Sequence, residues 1–348
     1  MLAMIKKCLY CSFRHDFLWT KVCPGCSSTL SLAMTVTNKY YFDKNIFLIK
    51  DCPTQQQKSR AIMRFLVFEA DGRKGLAVTN AQGQFFGLLD NDPDWPGDLE
   101  QLITVGPQAL ANAASSLLAG RAVDPDKVKV LPLLSKAPKI ICLGLNYAAH
   151  AKEGGFATPD YPALFGRFNS SLVGHGQPLI RPRVSDKFDF EGELAFVVGK
   201  GGRHISRDKA LEHVAGYSIF NDASVRDYQL KTPQWTIGKN FDGTGAFGPW
   251  LVTPDEVPPG ASGLRLQTRL NGVVVQEGQT DDLIFDVARV IELLSEALTL
   301  EVGDVVLMGT PSGIGHARTP PLYMKAGDVC EVEIEGLGIL SNPIVDEQ

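Results

Sequence analysis

The sequence predicts a mixed α/β protein that is mostly β, in the form of a rolled β-sandwich preceded by a small α+β domain. Two observations predict this fold class. From residue 139 onward, short strand-like runs alternate with glycine and proline turns and long connections, a pattern typical of sandwiches and barrels. Before that, three strand patterns are followed by two helical ones. We do not expect a parallel doubly wound sheet.

Composition divides the 348-residue chain into three regions, 1–62, 63–135 and 136–348. The first region carries nine Lys or Arg residues against three Asp, although the whole chain has a net charge of −5. It also holds five of the seven cysteines. An Asp-Pro-Asp segment at 124–126 indicates a linker between the second and third regions. We therefore expect 63–135 to form a small amino-terminal domain.

The first region contains two Cys-x-x-Cys pairs, eleven residues apart, formed by Cys8, Cys11, Cys23 and Cys26. This spacing is typical of two knuckles that hold a tetrahedral Zn²⁺. The alternative is that 1–62 is unstructured or not part of the native protein. Met34 and Met63 are further candidate initiators, and the residues after the knuckles show no helical or strand period. No cleavable apolar core follows the amino-terminal lysine pair, so we expect no secretory signal.

Hydrophobic periodicity gives the elements in chain order. Within 63–135 it predicts strands at 65–68, 74–78 and 84–89 and helices at 99–103 and 108–118. In the third region the predicted strands are 140–143, 163–168, 189–199, 214–220, 264–270, 305–308 and 329–334. The predicted helices there are 206–213 and 285–298.

Three carboxylates are placed to meet at one end of the sheet. Glu191 and Glu193 lie two apart in a predicted strand, so both point to the same face. Asp222 follows the apolar strand 214–220. Like charges repel unless something positive lies between them. Oxygen-only ligands suit Mg²⁺ or Mn²⁺, with Ca²⁺ as the alternative, and argue against zinc or copper at this site.

The rest of the strand indicates that the glutamates face a pocket. A solvated face is the ordinary explanation for acids that alternate along a strand. Here Ala195, Val197 and Gly199 continue the glutamate face with apolar or small residues. The face therefore runs from acid to apolar, as expected for a buried cation site.

Composition also argues against two classes of protein. The net charge of −5 gives no reason to expect nucleic acid, and no run reaches the ~18 to 20 apolar residues that span a bilayer. Cys142 and Cys330 lie in apolar runs, where we expect them to be buried and unpaired. This cysteine usage fits a reducing, cytoplasmic compartment.

Five segments resemble, in order, the motifs of the fumarylacetoacetate hydrolase family. The segments are 144–153, 191–193, 221–229, 235–242 and 309–315. The resemblance covers about residues 138 to 345 and implies the family's rolled β fold, with 136–348 as the catalytic domain. It also implies that 63–135 is the small amino-terminal domain that many members carry.

The resemblance implies catalytic roles for His150, Glu153 and Lys239. His150 and Glu153 are three residues apart, so on a helix they share a face and can form a hydrogen bond that fixes the imidazole tautomer. A pair of this kind is more often a surface salt link, and the role as a water-activating base is what the resemblance implies. Lys239 lies among the apolar residues of 235–241, where an ammonium needs an anionic partner.

The resemblance also implies substrate-binding roles. Arg226 and Gln229 would border the substrate carboxylate, with helix capping or an ion pair as the alternative, and Thr310 would donate a hydrogen bond to it. The glycine-rich segment 309–315 lacks the Lys-Ser/Thr ending of a nucleotide-binding loop, and Pro311 removes an amide donor, so we expect no nucleotide there. The remaining histidines considered are expected to be structural: His175, His204, His213 and His316.

The activity that the resemblance implies is metal-dependent hydrolysis of a C–C bond in a 2,4-dioxo acid of the acylpyruvate or fumarylacetoacetate type, with release of pyruvate or a related keto acid. Decarboxylation of oxaloacetate and isomerisation of a 2-hydroxy-dienedioate are alternatives at the same site, because neither needs an activated water. A non-enzymatic scaffold linked by zinc is a third hypothesis. For partners we expect a small keto-acid substrate and a homodimer, with no nucleic acid and no membrane.

Overall fold

The computed structural model describes residues 19–21, 30–32, 63–153 and 159–348. In the first region, β1 (Trp19–Lys21) and β2 (Leu30–Leu32) form an antiparallel pair. The four cysteines of the predicted zinc site lie outside the described residues. The zinc site and its alternative therefore both stay predictions. Among the described residues, no helix is long and apolar enough to cross a membrane.

A twelve-stranded mixed sheet dominates the part of the chain described from residue 63 onward. Its strands are β3 (Arg64–Ala70), β4 (Arg73–Thr79), β5 (Phe85–Leu89), β6 (Arg121–Val123), β7 (Lys129–Val130), β8 (Ile140–Gly144), β9 (Ala163–Gly166), β10 (Leu172–Val173), β13 (Gly192–Val198), β14 (Val214–Asn221), β16 (Gly245–Val252) and β19 (Val305–Leu307). They lie in the order β6-β5-β4-β3-β16-β14-β13-β19-β8-β9, with β7 beside β3 and β10 beside β16.

A five-stranded sheet packs against the centre of the large one. Its strands are β11 (Leu179–Arg181), β17 (Arg265–Leu270), β18 (Val273–Gln279), β20 (Val329–Ile334) and β21 (Gly338–Asp346), and they lie in the order β11-β21-β20-β17-β18. Gly192 at the start of β13 permits the close approach, because a Cβ atom there would lie 2.3 Å from Thr268 Oγ1 and 2.8 Å from Val332 Cγ1. A separate pair is formed by β12 (Phe188–Asp189) and β15 (Ser224–Val225). The predicted mostly β sandwich is confirmed.

Helices are few and mostly short in the described part of the chain. They are α1 (Leu99–Val105), α2 (Pro107–Leu118), α3 (Ala148–Glu153), α4 (Arg226–Gln229), α5 (Thr236–Lys239) and α6 (Val287–Ala297). The α6 helix begins after Asp286, whose carboxylate accepts a hydrogen bond from the Arg289 amide at 2.7 Å. The predicted helix 206–213 is wrong. The chain there forms turns and a 3₁₀ segment, Ala210–His213, because it must enter β14 at Val214 directly.

The predicted strands are present, with ends displaced by a few residues. The strand predicted at 163–168 ends at Gly166, where Arg167 turns into the interior and is buried. The region 63–135 contains the predicted strands and two helices, and its first strand joins the large sheet, since Phe65 pairs with Leu251 of β16. Its status as a domain of its own stays a prediction.

The central strand β13 is buried on both faces. Leu194, Phe196 and Val198 belong to one apolar core cluster, and Ala195 and Val197 belong to another on the opposite face. The two faces divide as the alternation in the sequence predicts. The acidic end of this strand is therefore held within the protein.

Candidate metal centre and active site

The sheet brings three buried carboxylates together. Glu191 immediately precedes β13 and Asp222 immediately follows the antiparallel neighbour β14, so both lie at the same edge. The Asp222 amide donates to the Glu191 carbonyl at 2.8 Å, which fixes the two backbones side by side. Oxygen atoms of Glu191, Glu193 and Asp222 all lie within 4.8 Å of one another. The structure thus assembles the three residues that the sequence predicted as metal ligands.

Three buried cations surround these carboxylates. The Lys239 ammonium lies 2.7 Å from Glu191 Oε2 and 2.6 Å from Asp222 Oδ2. Arg226 forms an ion pair with the other oxygen of Glu191, and Arg167 forms one with the other oxygen of Asp222. The lysine in its apolar segment therefore has the anionic partners that its setting predicted.

The neighbouring charges determine the protonation states of Glu191 and Lys239. Burial alone would raise the pKa of Glu191, but the Lys239 ammonium and the Arg226 guanidinium lower it to about 2. Burial opposes the charge of Lys239 as well, but Asp222 and Glu191 together raise its pKa. Both side chains therefore stay ionised near neutral pH.

Glu193 differs, because no cation pairs with it in the described part of the chain. Its Oε2 accepts a hydrogen bond from the Gly309 amide at 2.8 Å. Burial and the charges of Asp222 and Glu191 raise its pKa well above the ordinary value. A divalent cation would supply the missing positive charge, and the donor set consists of carboxylate oxygens alone. These residues fit Mg²⁺, Mn²⁺ or Ca²⁺.

The predicted hydrogen-bonded pair of the candidate base, His150, and its partner, Glu153, is formed on α3. His150 Nδ1 lies 3.3 Å from Glu153 Oε2. Both oxygens of Glu153 also accept from the Gly313 amide, at 3.0 and 3.1 Å. Burial alone would raise the pKa of Glu153, but the hydrogen bonds from His150 and Gly313 lower it. Glu153 is thus an ionised partner that can hold the imidazole in one tautomer.

A cavity of about 240 Å³ opens above the carboxylates. Most of the predicted site residues line it: His150, Glu191, Glu193, Arg226, Gln229, Lys239 and Thr310. Apolar groups complete the wall, among them Phe165, Leu230 and Trp235. Glu153 and Asp222 do not line it but contact residues that do. A small polar ligand would therefore reach the base, the lysine and the metal site from one space.

The glycine-rich segment 309–315 forms one wall, and its amides are donated to the protein's own carboxylates. Besides the Gly309 and Gly313 amides, the Gly315 amide donates to Asp189 Oδ1 at 2.8 Å. The Thr310 hydroxyl donates to the Gly192 carbonyl at 2.9 Å and accepts from Gln276 at 2.8 Å. Its hydrogen is committed within the protein, and its predicted role toward the substrate stays a prediction.

The structure adds residues that the sequence argument left out. Arg167 and Asp189 are fully enclosed parts of the charge network, and His316, expected to be structural, lines the cavity. Asp189 accepts from Arg226 Nε at 2.8 Å. Its place two residues before Glu191 was a usable signal, because residues two apart in a strand share a face. No local sequence pattern indicated Arg167, which follows a different strand, β9.

Comparison with known proteins agrees with this geometry. The family described as "Fumarylacetoacetate (FAA) hydrolase C-terminal" matches residues 139–345. The chain belongs to the fumarylacetoacetate hydrolase family. It is similar to the mitochondrial oxaloacetate tautomerase fahd2 of Xenopus laevis, at 37% identity over 309 residues, which cover 87% of this chain and 96% of that protein.

Solved structures of the fumarylacetoacetate hydrolase family share the fold. The fumarylacetoacetate hydrolase of Exiguobacterium antarcticum is 37% identical, with a TM-score of 0.72 over 82% of this chain and 100% of that one. The maleylpyruvate hydrolase of Sphingobium sp. SYK-6, in complex with manganese(II) and pyruvate, is 26% identical, with a TM-score of 0.66 over the same shares. The chain is therefore an enzyme of this family.

Proposed function

We propose that the protein is a divalent-metal-dependent enzyme that interconverts the keto and enol forms of a 2-oxo dicarboxylic acid of the oxaloacetate type. The observation that carries the proposal is the 37% identity across 96% of an oxaloacetate tautomerase. The cluster of Glu191, Glu193 and Asp222 supports it, because enolisation of a 2-oxo acid is favoured by a cation at the oxo group. This reading replaces C–C hydrolysis as the first candidate and keeps the enolate chemistry that all the alternatives share.

A divalent cation held by the three carboxylates would supply a Lewis acid for the negative charge that develops on the 2-oxo oxygen. The chain's own residues do the remaining work. Lys239 stays protonated and adds positive charge at the same end of the cavity. His150 removes the proton from the carbon beside the oxo group and delivers it to the oxo oxygen, which gives the enol, and the reverse transfer restores the keto form. Glu153 fixes the tautomer of His150. No water needs to be activated for this reaction.

Hydrolysis of an acylpyruvate remains the second candidate. The His150–Glu153 pair, which can equally deprotonate a water, favours it. The similarity to a maleylpyruvate hydrolase is a second supporting observation. The two reactions share the cation site and differ in what the base deprotonates.

One experiment separates the candidates. Protein loaded with Mn²⁺ is given oxaloacetate, and the enol absorbance in the ultraviolet and the release of pyruvate are followed in parallel; acetylpyruvate is tested in the same way. A tautomerase speeds keto–enol exchange without releasing pyruvate. Release from oxaloacetate alone, faster than in a Mn²⁺ solution without the protein, identifies a decarboxylase. Release from acetylpyruvate as the faster reaction returns hydrolysis to first place.

The cofactor, the assembly and the cellular compartment of the protein belong to the same proposal. We propose Mg²⁺ or Mn²⁺ as the cofactor, with Ca²⁺ as the alternative, and a homodimer as the assembly. Cytoplasm was predicted from cysteine usage, whereas the name of the Xenopus relative places that protein in mitochondria. Fractionation of cells that express the full chain would decide between these compartments.

A further inference from the structure

His316 lines the active-site cavity, on the side formed by the end of the glycine-rich segment. Its amide donates to Asp189 Oδ2 at 2.8 Å, and the preceding Gly315 amide donates to Asp189 Oδ1 at the same distance. Asp189 is fully buried and also pairs with Arg226. The backbone of His316 is thus fixed to the same carboxylate that holds Arg226.

One ring nitrogen of His316 has a hydrogen-bond partner among the described residues, and the other has none. Its Nδ1 lies 2.8 Å from the Tyr323 hydroxyl. No described residue bonds to Nε2. Burial and the nearby Arg226 charge lower the pKa of His316, and burial raises that of Tyr323. When the Tyr323 hydroxyl donates to Nδ1, the ring hydrogen is on Nε2, which makes Nε2 a hydrogen-bond donor.

One charged donor of this cavity, Arg226 Nη2, has no partner among the described residues, and the carboxylate beside the oxo group would take it in the predicted role of Arg226. The other donors are mostly engaged. Lys239 is engaged by two carboxylates, and the Thr310 hydroxyl hydrogen is committed to the Gly192 carbonyl. The Gln229 oxygen accepts from Arg226 at 2.9 Å, which leaves only its amide nitrogen. A dicarboxylic 2-oxo acid brings one carboxylate beside the oxo group and a second one at the far end. The second needs donors that the ion pairs do not already use.

We propose that His316 is a specificity-determining residue that donates a hydrogen bond from Nε2 to the distal carboxylate of a dicarboxylic substrate. Tyr323 is the positioning residue that sets its tautomer. The inference rests on the proposed function, since it is that function that calls for a dicarboxylic acid. His316 therefore favours a 2-oxo dicarboxylate over a 2-oxo monocarboxylate.

The test measures binding and not turnover. Isothermal titration of the full chain loaded with Mn²⁺ compares pyruvate with 2-oxo-3,3-dimethylsuccinate, which carries the distal carboxylate but has no hydrogen at C3 and cannot enolise. Because Mn²⁺ promotes the loss of CO₂ from this ligand, the heat of a titration into Mn²⁺ without protein is subtracted, and the recovered ligand is checked for 3-methyl-2-oxobutanoate. Wild type is expected to bind the dicarboxylate more tightly. His316→Leu should weaken dicarboxylate binding by about ten- to a hundredfold, the scale of a hydrogen bond to a charged group, and leave pyruvate binding within about twofold.

Three variants sharpen the comparison. His316→Gln puts an amide nitrogen near the position of Nε2 and should recover much of the dicarboxylate binding. Tyr323→Phe should show a smaller loss of the same selectivity. His175→Gln is the matched control, because His175 Nδ1 also takes part in one hydrogen bond, which it accepts from the Ser341 amide, and His175 does not line this cavity.

Equal losses for both ligands in His316→Leu would overturn the proposal, because a structural role weakens both alike. Equal affinities of wild type for the two ligands would also overturn it. The proposed reaction can fail independently of this binding site. If His316 gave selective binding but the protein did not speed keto–enol exchange of oxaloacetate, the binding site would stand and the tautomerase assignment would be wrong.

Discussion

Both carboxylate oxygens of Glu153 accept a hydrogen bond from the Gly313 amide, at 3.0 and 3.1 Å. One of these oxygens also lies 3.3 Å from His150 Nδ1. A single carboxylate therefore links the candidate base to the glycine-rich wall of the cavity. The position of the base depends on that wall being in place.

Glu153→Gln tests this link. The amide oxygen can still accept from Gly313, but the negative charge that stabilises a protonated His150 is lost. We expect kcat to fall by about 10², the usual scale for a positioned acid–base group, with Mn²⁺ affinity unchanged. Steady-state kinetics and a Mn²⁺ titration measure the two quantities. Glu212→Gln, in an exposed pair with Lys209, is the control; loss of Mn²⁺ affinity in Glu153→Gln would contradict the assignment.

Glu193→Gln tests the metal centre with little disturbance of the ion pairs. Glu193 pairs with no described cation, and the glutamine oxygen can keep the hydrogen bond from the Gly309 amide. Loss of an outer-sphere partner alone costs about 10- to 100-fold in metal affinity, so the loss of a direct ligand should exceed about 100-fold. Calorimetric titration with Mn²⁺ measures it, with Glu331→Gln, on the surface next to Arg269, as the control. Undiminished affinity would exclude Glu193 as a ligand.

The raised pKa of Glu193 also predicts a pH dependence of stability. Above the ordinary value of 4.5 the carboxyl is ionised in the unfolded chain but stays protonated in the folded one until the raised folded pKa is reached. The folded state binds more protons in that window, so the free energy of unfolding falls as pH rises. Thermal unfolding in excess chelator should show a steeper fall for wild type than for Glu193→Gln. Parallel pH profiles would contradict the raised pKa.

Gly192→Ala tests how tightly the two sheets pack at the metal strand. The added methyl would lie 2.3 Å from Thr268 Oγ1, so either the sheets or these side chains must shift. We expect a loss of about 1–3 kcal/mol in the free energy of unfolding, with weaker Mn²⁺ binding because Glu191 and Glu193 flank the site. Gly166→Ala is the control, since its nearest contact would be an ordinary 3.6 Å. Chemical denaturation of both variants measures the change in the free energy of unfolding, and an equal change in the two would contradict the prediction.

Local patterns predicted the strands that alternate cleanly. They missed β16 because Gly248 and Pro249 interrupt it, and residues of this kind argue against a central strand. They also missed β18, although Asn271 and Gly272 before it have the positive φ values of a tight hairpin turn, and the Asn-Gly pair was a readable signal.

Only the part of the candidate site that short segments of the sequence mark could be predicted. Glu191, Glu193 and Asp222 follow from strand alternation, because their chemistry is visible within short segments. Arg167, in contrast, acts through a contact with Asp222, which lies 55 positions away in the chain. Such pairings depend on how the strands are ordered in the sheet, and a single sequence does not state that order.

The cations around the carboxylates affect how the protein would respond to the loss of a bound divalent ion. Lys239, Arg226 and Arg167 already compensate most of the buried negative charge, so we expect the polypeptide to stay folded when no divalent ion is bound. Removal of the ion would then stop catalysis without exposing the chain to degradation, and its return would restore the same molecules. The amount of active enzyme would follow the free concentration of the ion, with no new synthesis of protein.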